Sequence, residues 1–266
     1  MSTQTLTGEA PANPLTRILS SDTASRIIPI LIVAALWEIA PRAGWVNPEF
    51  LPSLTAVAKA WYKSMATGEL PYHTYASLLN WLLGLGGGII FGVLVGVLMG
   101  WYPLINATVG PLVQMTFPIP RTALVPVMIL WLGLGAASKI ASIFSGCLLP
   151  VIISAYNGAR GVDQTLIWSA RGLGATNRQV LWQVILPGAI PDILAGIRSA
   201  MAIAFLLMVT SEFLVGGRGL GYLIAFLGDA GAYDAMFAVV LTVAAIGYFA
   251  DRGYLKLMSW LLRWRG

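Results

Sequence analysis

An all-α protein that crosses a lipid bilayer six times is the fold class this sequence predicts, and three observations carry that prediction. Of 266 residues, 58% are hydrophobic and only 10% are charged, with a mean hydropathy of +0.79. A soluble domain carries about 25% charged residues, so a water-facing surface cannot be built from this material and lipid must be the main solvent. Apolar runs of about 20 residues, the length that crosses a bilayer as helix, recur along the chain. One long polar stretch, residues 161–187, interrupts them with helix caps and glycines.

The elements follow in order. Residues 1–25 are polar and rich in Pro, Ser and Thr, without the basic start, apolar core and cleavage site of a signal peptide, and are expected to be a cytoplasmic tail. Residues 26–266 form one transmembrane domain. Its first crossing, "RIIPILIVAALWEIAPRAGW", is short, carries Glu38 and ends near Pro41. The loop that follows holds "LTAVAKAWYKSM", where Leu54, Val57, Ala58 and Trp61 fit an amphipathic helix lying at the membrane surface. The second crossing, Ser77 to Tyr102, places Gly84, Gly88, Gly92, Gly96 and Gly100 on one helical stripe. Such a stripe lets another helix approach closely, and packing inside the bundle is the expected use. The third, Leu104 to Gly135, is interrupted by Pro111, Pro118, Pro120 and Pro126. The fourth runs from Ser138 to Ala159 and contains the single cysteine, Cys147, expected as a small packing residue. The fifth and sixth are "AIPDILAGIRSAMAIAFLLMVTSEF" and "MFAVVLTVAAIGYFADRGYLKLMSWLL".

Six crossings put both termini on one side. With the N-terminus inside, the cytoplasmic segments hold Arg17, Arg26, Arg160, Arg171, Arg178, Arg252, Lys256, Arg263 and Arg265, against Arg42, Lys59, Lys63, Lys139 and Arg218 opposite. Nine against five favours N-in, C-in. The net charge of +5 is thus accounted for by loop bias; the basic residues are scattered, and no nucleic-acid partner is expected.

The polar stretch between the fourth and fifth crossings reads as two short helices joined by a glycine elbow. Asp163 caps the first, "QTLIWSAR"; Gly172 and Gly174 supply a tight turn; Thr176 with Gln179 makes a capping box that starts the second. Val180, Leu181, Val184 and Ile185 share a face, and Pro187 and Pro191 suit a break before the next crossing. Each helix, near 15 Å long at about 1.5 Å per residue, is too short to span. An elbow with an apolar underside fits a membrane-resting element as well as a docking element by pattern alone.

The residues add a resemblance. "SARGLGATNRQVLWQVILPGAIPDILAGIRSA" is similar to the signature loop of ABC-importer permeases at Ala170, Arg171, Leu173, Gly174, Ala175, Leu186, Pro187, Pro191, Gly196, Ile197 and Arg198. "PIPRTALVPVMILWLGLGAASKI" and "SEFLVGGRGLGYLI" resemble segments of the nitrate/sulfonate/taurine branch. Trp168 and Ser169 stand where the loop usually has Glu-Ala. The resemblance implies the six-helix transmembrane domain of a type I ABC importer, acting as a homodimer in the bacterial inner membrane with a cytoplasmic ATPase dimer and an extracytoplasmic solute-binding protein. It also implies that the loop, Trp168, Ser169, Ala170, Arg171, Gly172, Leu173, Gly174, Ala175 and Thr176 with Leu186 and Pro187, couples this chain to the ATPase, with Gly174 as the pivot. ATP and Mg would be bound by that partner, and no cofactor or metal by this chain, which is a transport subunit and not an enzyme. It contains no Gly-x-x-x-x-Gly-Lys-Ser/Thr loop. A self-contained secondary transporter or channel is the alternative; it would need its own coupling-ion site, and the crossings hold few acids.

Charges within the crossings are the remaining candidates. Arg121 falls in the proline-broken third crossing, where a charge is costly and marks function or pairing. Two roles fit it: attraction of an anionic solute such as a sulfonate, nitrate or carboxylate, or an ion pair with Glu212 near the outer end of the fifth crossing. Glu38 is expected to snorkel at the interface, and His73 to be an interfacial residue with no metal-ligand neighbour. Trp101, Trp131, Trp168, Trp182, Trp260 and Trp264 suit interfacial anchoring.

Overall fold

The computed structural model describes residues 22–265; most of the expected tail, residues 1–21, lies outside the described residues. The chain forms α1 (Asp22–Arg42), α2 (Leu54–Ala66), α3 (Glu69–Trp101), α4 (Pro103–Thr116), a 3₁₀ turn (Arg121–Ala123), α5 (Leu124–Leu132), α6 (Ala136–Arg160), α7 (Gln164–Gly172), α8 (Asn177–Val180), a π turn (Leu181–Ile185), α9 (Leu186–Val215), α10 (Leu220–Asp229), α11 (Tyr233–Leu261) and a second 3₁₀ turn (Arg263–Arg265).

The glycine stripe of α3 does pack inside the bundle, against α6. A Cβ at Gly84 would strike Ile143, at Gly88 Cys147, at Gly92 Val151, at Gly96 Ala155 and at Gly100 Ala159. Both numbers climb by four, so the helices run parallel with matched stripes, and only glycine lets the backbones close to this distance. Lipid offers no hydrophobic drive to pair helices, and close packing of small residues takes its place. On its other side α6 receives α9 antiparallel, with Gly146 against Leu207, Gly158 against Ala189, and Gly196 against Ser154. Ile143, Cys147, Val151, Ala200, Ala204, Leu207 and Met208 are the buried centre of this three-helix core. Cys147 is the packing residue the sequence suggests.

The third crossing is a bent pair, its halves meeting at 87°. Pro118 and Pro120 cannot donate to a helix and bias the residue before each away from it, so the chain turns over Phe117–Pro120 and restarts at Arg121. The long helix α11 lies antiparallel to α9. Tyr254 donates to the Leu194 carbonyl at 2.8 Å, and Arg198 grips Asp251 through two hydrogen bonds of 2.8 and 3.0 Å.

Several expectations change. Four helices are long and apolar enough to cross a membrane and the bent pair makes a fifth, among the described residues; α1, the expected first of six, is not among them. It holds two prolines, Pro29 and Pro41, and carries the charges of Glu38 and Arg42 in its last turns. Glu38 is held locally: its carboxylate accepts from the Thr55 N–H at 3.1 Å and hydroxyl at 3.0 Å, and pairs with Arg42. The buried stripe of α2 is Val57, Ala60 and Ser64, while Ala58 and Trp61 face out; Val57 and Ala60 pack on Ala238 of α11. Pro187 does not break the chain. Leu186 donates five residues back to Leu181, and this π turn tolerates the missing proline donor, so residues 177–215 form one continuous helical rod. Helix α10, not expected, places Leu220, Leu223 and Leu227 against Leu70 and Val239.

Candidate functional site

The two ends of the bundle carry different chemistry. At one end sits the elbow. The Asp163 carboxylate accepts from the Thr165 N–H at 2.8 Å, and that bond holds its pKa below the usual value. Helix α7 stops at Gly172; the Gly174 N–H then donates to the Arg171 carbonyl and the Ala175 N–H to that of Ala170. Gly174 turns the chain at φ +84°, in the left-handed region that costs any side chain about 1–2 kcal/mol. The predicted capping box is complete: the Thr176 N–H donates to Gln179 Oε1 at 2.8 Å and the Gln179 N–H to Thr176 Oγ1 at 3.4 Å.

The elbow is seated on the bundle through Ile167, Val180 and Ile185, buried among Val97, Ala155, Ala159, Val162, Ala189 and Ile193. The Arg171 guanidinium lies 5.8 Å from the centre of the Trp101 ring. Its outward side is also apolar: Leu173 is 90% exposed and Trp168 65%, with Leu166 and Trp182 more than half exposed. An apolar tip on a rigid seat is the mark of an interaction surface. Of the sequence-predicted loop residues, Trp168 to Thr176 do form this elbow, whereas Leu186 and Pro187 lie within the rod that follows, at the start of α9.

At the other end lies a buried polar cluster centred on Glu212, which has no solvent exposure. Oε2 accepts from Ser77 Oγ at 2.6 Å and the Gly221 N–H at 3.1 Å, and Oε1 from Asn80 Nδ2 at 3.4 Å. Ser77 in turn accepts from the Leu220 N–H at 2.7 Å, and His73 Nδ1 from the Gly219 N–H at 3.1 Å. Gly219 sits at φ +122°, and a Cβ there would run into the Glu212 carboxylate, so both its backbone and its contact demand glycine. Lys139, only 4% exposed, donates to the carbonyls of Gly216 at 2.8 Å and Arg218 at 2.7 Å. The glycine-rich segments "GLGAASK" and "GGRGLG" are thereby pinned together.

This geometry corrects three readings. Glu212 is satisfied by α3 and the first turn of α10, and its partner is not Arg121; the ion pairs among the described residues are Arg42–Glu38 and Arg198–Asp251. His73 is buried in the cluster and does not lie on the surface of the bundle. Lys139 is a buried tether and not a loop charge. No local signal marks Ser77, Asn80 or Lys139, because their partners lie 77 to 143 residues away. Arg121, at the restart of the broken crossing, packs with its turn against α6 and α9. Its Nε is buried without a hydrogen-bond partner.

A parallel glycine-matched helix pair, a broken crossing and a seated elbow together describe a multi-pass helical membrane protein with an exposed docking element. The fold agrees with the inward-facing MetNI methionine ABC transporter: one crystal form matches with a TM-score of 0.59 at 21% identity, over 70% of this chain and 93% of that one. A second gives 0.55 at 20%, over 79% and 98%. The fold is thus that of a type I ABC importer membrane domain. The chain belongs to the family of binding-protein-dependent transport system inner membrane components, whose model matches residues 88–259. It is 32% identical over 253 residues to the taurine transport system permease protein TauC of Escherichia coli (strain K12), covering 93% of this chain and 92% of that protein. It is 33% identical over 239 residues to a Bacillus subtilis (strain 168) protein named for aliphatic sulfonates transport, SsuC, covering 90% and 86%. The self-contained transporter is set aside by this membership: the chain is an inner-membrane permease subunit of an ABC importer.

Proposed function

We propose that this permease carries a small organic sulfonate, or an anion of similar chemistry, across the cytoplasmic membrane as a homodimer. A cytoplasmic ATPase dimer drives it and an extracytoplasmic binding protein delivers the solute. The observation that carries the coupling role is the elbow: a seated apolar base with Leu173 and Trp168 projecting unpartnered. Seating makes the elbow a rigid handle, so force applied at its tip moves α6 and α9 as a body. ATP and Mg would act on the partner alone. Trp168, in place of the loop's usual glutamate, gives this contact an apolar character. The charge bias of the loops supports N-in, C-in, which puts the elbow in the cytoplasm.

Names among the relatives support a sulfonate, and Arg121 fits one. A guanidinium at a helix break, with a buried donor unpaired, is an attractive point for a passing anion. Glu212 supports the path by fixing the wall beside it and does not touch the solute.

The test is reconstitution of the permease with its ATPase and binding protein in vesicles. ATP-dependent uptake of taurine or another alkanesulfonate is expected, and Gly174→Trp is expected to abolish both uptake and ATPase capture while leaving the bundle's melting temperature in place. Uptake that proceeds in the absence of any ATPase would overturn the proposal.

A further inference from the structure

A cavity of about 490 Å³ opens at the end of the bundle opposite the elbow, between the first turns of α3, the start of α6 and the loop after α9. Its volume lies in the range of small-molecule sites, about 300–1,000 Å³. Two cations line it, Lys139 and Arg218, with Tyr72, Tyr75 and Asn80, and no acid does. The nearest carboxylate to Lys139 in the cluster, Glu212, is fully buried behind the wall with both oxygens occupied. Lys139 spends two hydrogen bonds on carbonyls, and an ammonium has three donors, so one remains. Arg218 is exposed, its guanidinium resting 5.2 Å from the centre of the Tyr72 ring, with no carboxylate in ion-pair range among the described residues. Cations set in low-dielectric walls focus a positive potential into the space they enclose.

We infer that this cavity is an anion-receiving site for small organic sulfonates, formed by Lys139, Arg218, Asn80 and the two tyrosines, and entered before the solute reaches Arg121. The inference rests on the reading of the solute as an anion and adds where it first lodges in the permease. Lys139 holds the 216–218 loop and points its free N–H at the ligand; Arg218, exposed on the rim over Tyr72, faces it from the other side. The aromatic faces cover the ligand's carbon end.

The test uses the full chain assembled with its ATPase in lipid nanodiscs. Ala136, which lines the cavity, is changed to cysteine; the native Cys147 is buried. Two thiol reagents of similar size and opposite charge, sulfonatoethyl and trimethylammonioethyl methanethiosulfonate, are compared, with Ala58→Cys on the exposed face of α2 as reference. The anionic reagent is expected to gain about tenfold over the cationic one relative to that reference, the scale that charge focusing provides. Ethanesulfonate is expected to slow it, and Arg218→Gln to reduce the gain. Leu79→Cys, also on the cavity lining, gives the same readout should Ala136→Cys fold poorly. Equal relative rates, or protection by the binding protein but none by ethanesulfonate, would overturn the inference. Sulfonate uptake by the reconstituted importer with no charge preference in the Ala136→Cys variant would remove the cavity site and leave the transport reading standing. Charge preference and protection without sulfonate uptake would do the reverse.

Discussion

The elbow and the Glu212 cluster hold the chain by opposite means. In the elbow, polar groups bond to residues two to five positions away: Asp163 to Thr165, Thr176 to Gln179, Gly174 to Arg171, Ala175 to Ala170. Its apolar side chains are split between a seat and an exposed tip. In the cluster, every polar contact but one joins segments more than 70 residues apart. The difference teaches where each end can yield. A part held by local bonds keeps its shape while its surroundings move, as a handle must. A part held by long-range bonds fixes three helices to one another and loses them together.

The largest effect should come from Glu212→Ala. It strands the Ser77 hydroxyl, the Asn80 amide and the Gly221 N–H in a dry interior, and each buried unsatisfied group costs about 1–3 kcal/mol. Loss of the folded chain from detergent extracts, read by size-exclusion chromatography, is the expected result, with Glu212→Gln partly rescuing because its amide oxygen still accepts. A Glu212→Ala protein of normal yield and melting temperature would erase the distinction between the two ends.

Next is Gly92→Val, which drives a branched side chain into Val151. Overpacking of this kind costs about 1–3 kcal/mol. The substitution should lower the melting temperature of the permease while Gly86→Val, where nothing lies within 4 Å of the added carbon, leaves it unchanged. Equal effects at the two glycines would mean that helix propensity, and not close approach, explains the stripe.

The same contrast decides what is legible in the sequence. The caps of the elbow are short-range grammar, so Asp163, Gly174 and the Thr176–Gln179 box can be read directly from letters. The glycine stripe is legible as a stripe, and its partner row Ile143, Cys147, Val151, Ala155 and Ala159 carries the same period of four without naming α3. The cluster is not legible, since Ser77, His73 and Lys139 look like ordinary interfacial or loop residues until folding brings 216–221 onto them. The continuous rod through Pro187 is hidden for a different reason: a proline in a sequence signals a break, and only the backbone shows that a π turn has absorbed it. Cap and cradle differ in sequence range, and that range decides what can be read in advance.

Thr176→Ala is smaller in effect. It removes the side-chain half of the capping box, worth about 1 kcal/mol, and leaves the bundle untouched. Faster amide exchange confined to residues 177–181, with an unchanged global melting temperature, is the expected pattern. Exchange that spreads into α6 would show that the elbow is part of the bundle's cooperative unit.

The smallest effect is a titration, and its sign separates local from long-range holding. The pKa of Asp163 is lowered in the folded chain by the Thr165 N–H, so the ionised cap stabilises α7 at pH values above the ordinary aspartate pKa of about 3.9. That stabilisation is lost as pH falls through the lowered folded value, when the unfolded segment binds the proton more readily. Amide exchange of residues 165–167, corrected for its intrinsic pH dependence, should therefore accelerate in acid for the native chain and stay flat for Asp163→Asn, whose amide oxygen accepts at every pH. The bundle's melting should not follow this titration, because the cap's bond reaches only two residues along the chain. An acid-induced loss shared by α7 and α3 would instead tie the elbow's cap to the far end of the molecule.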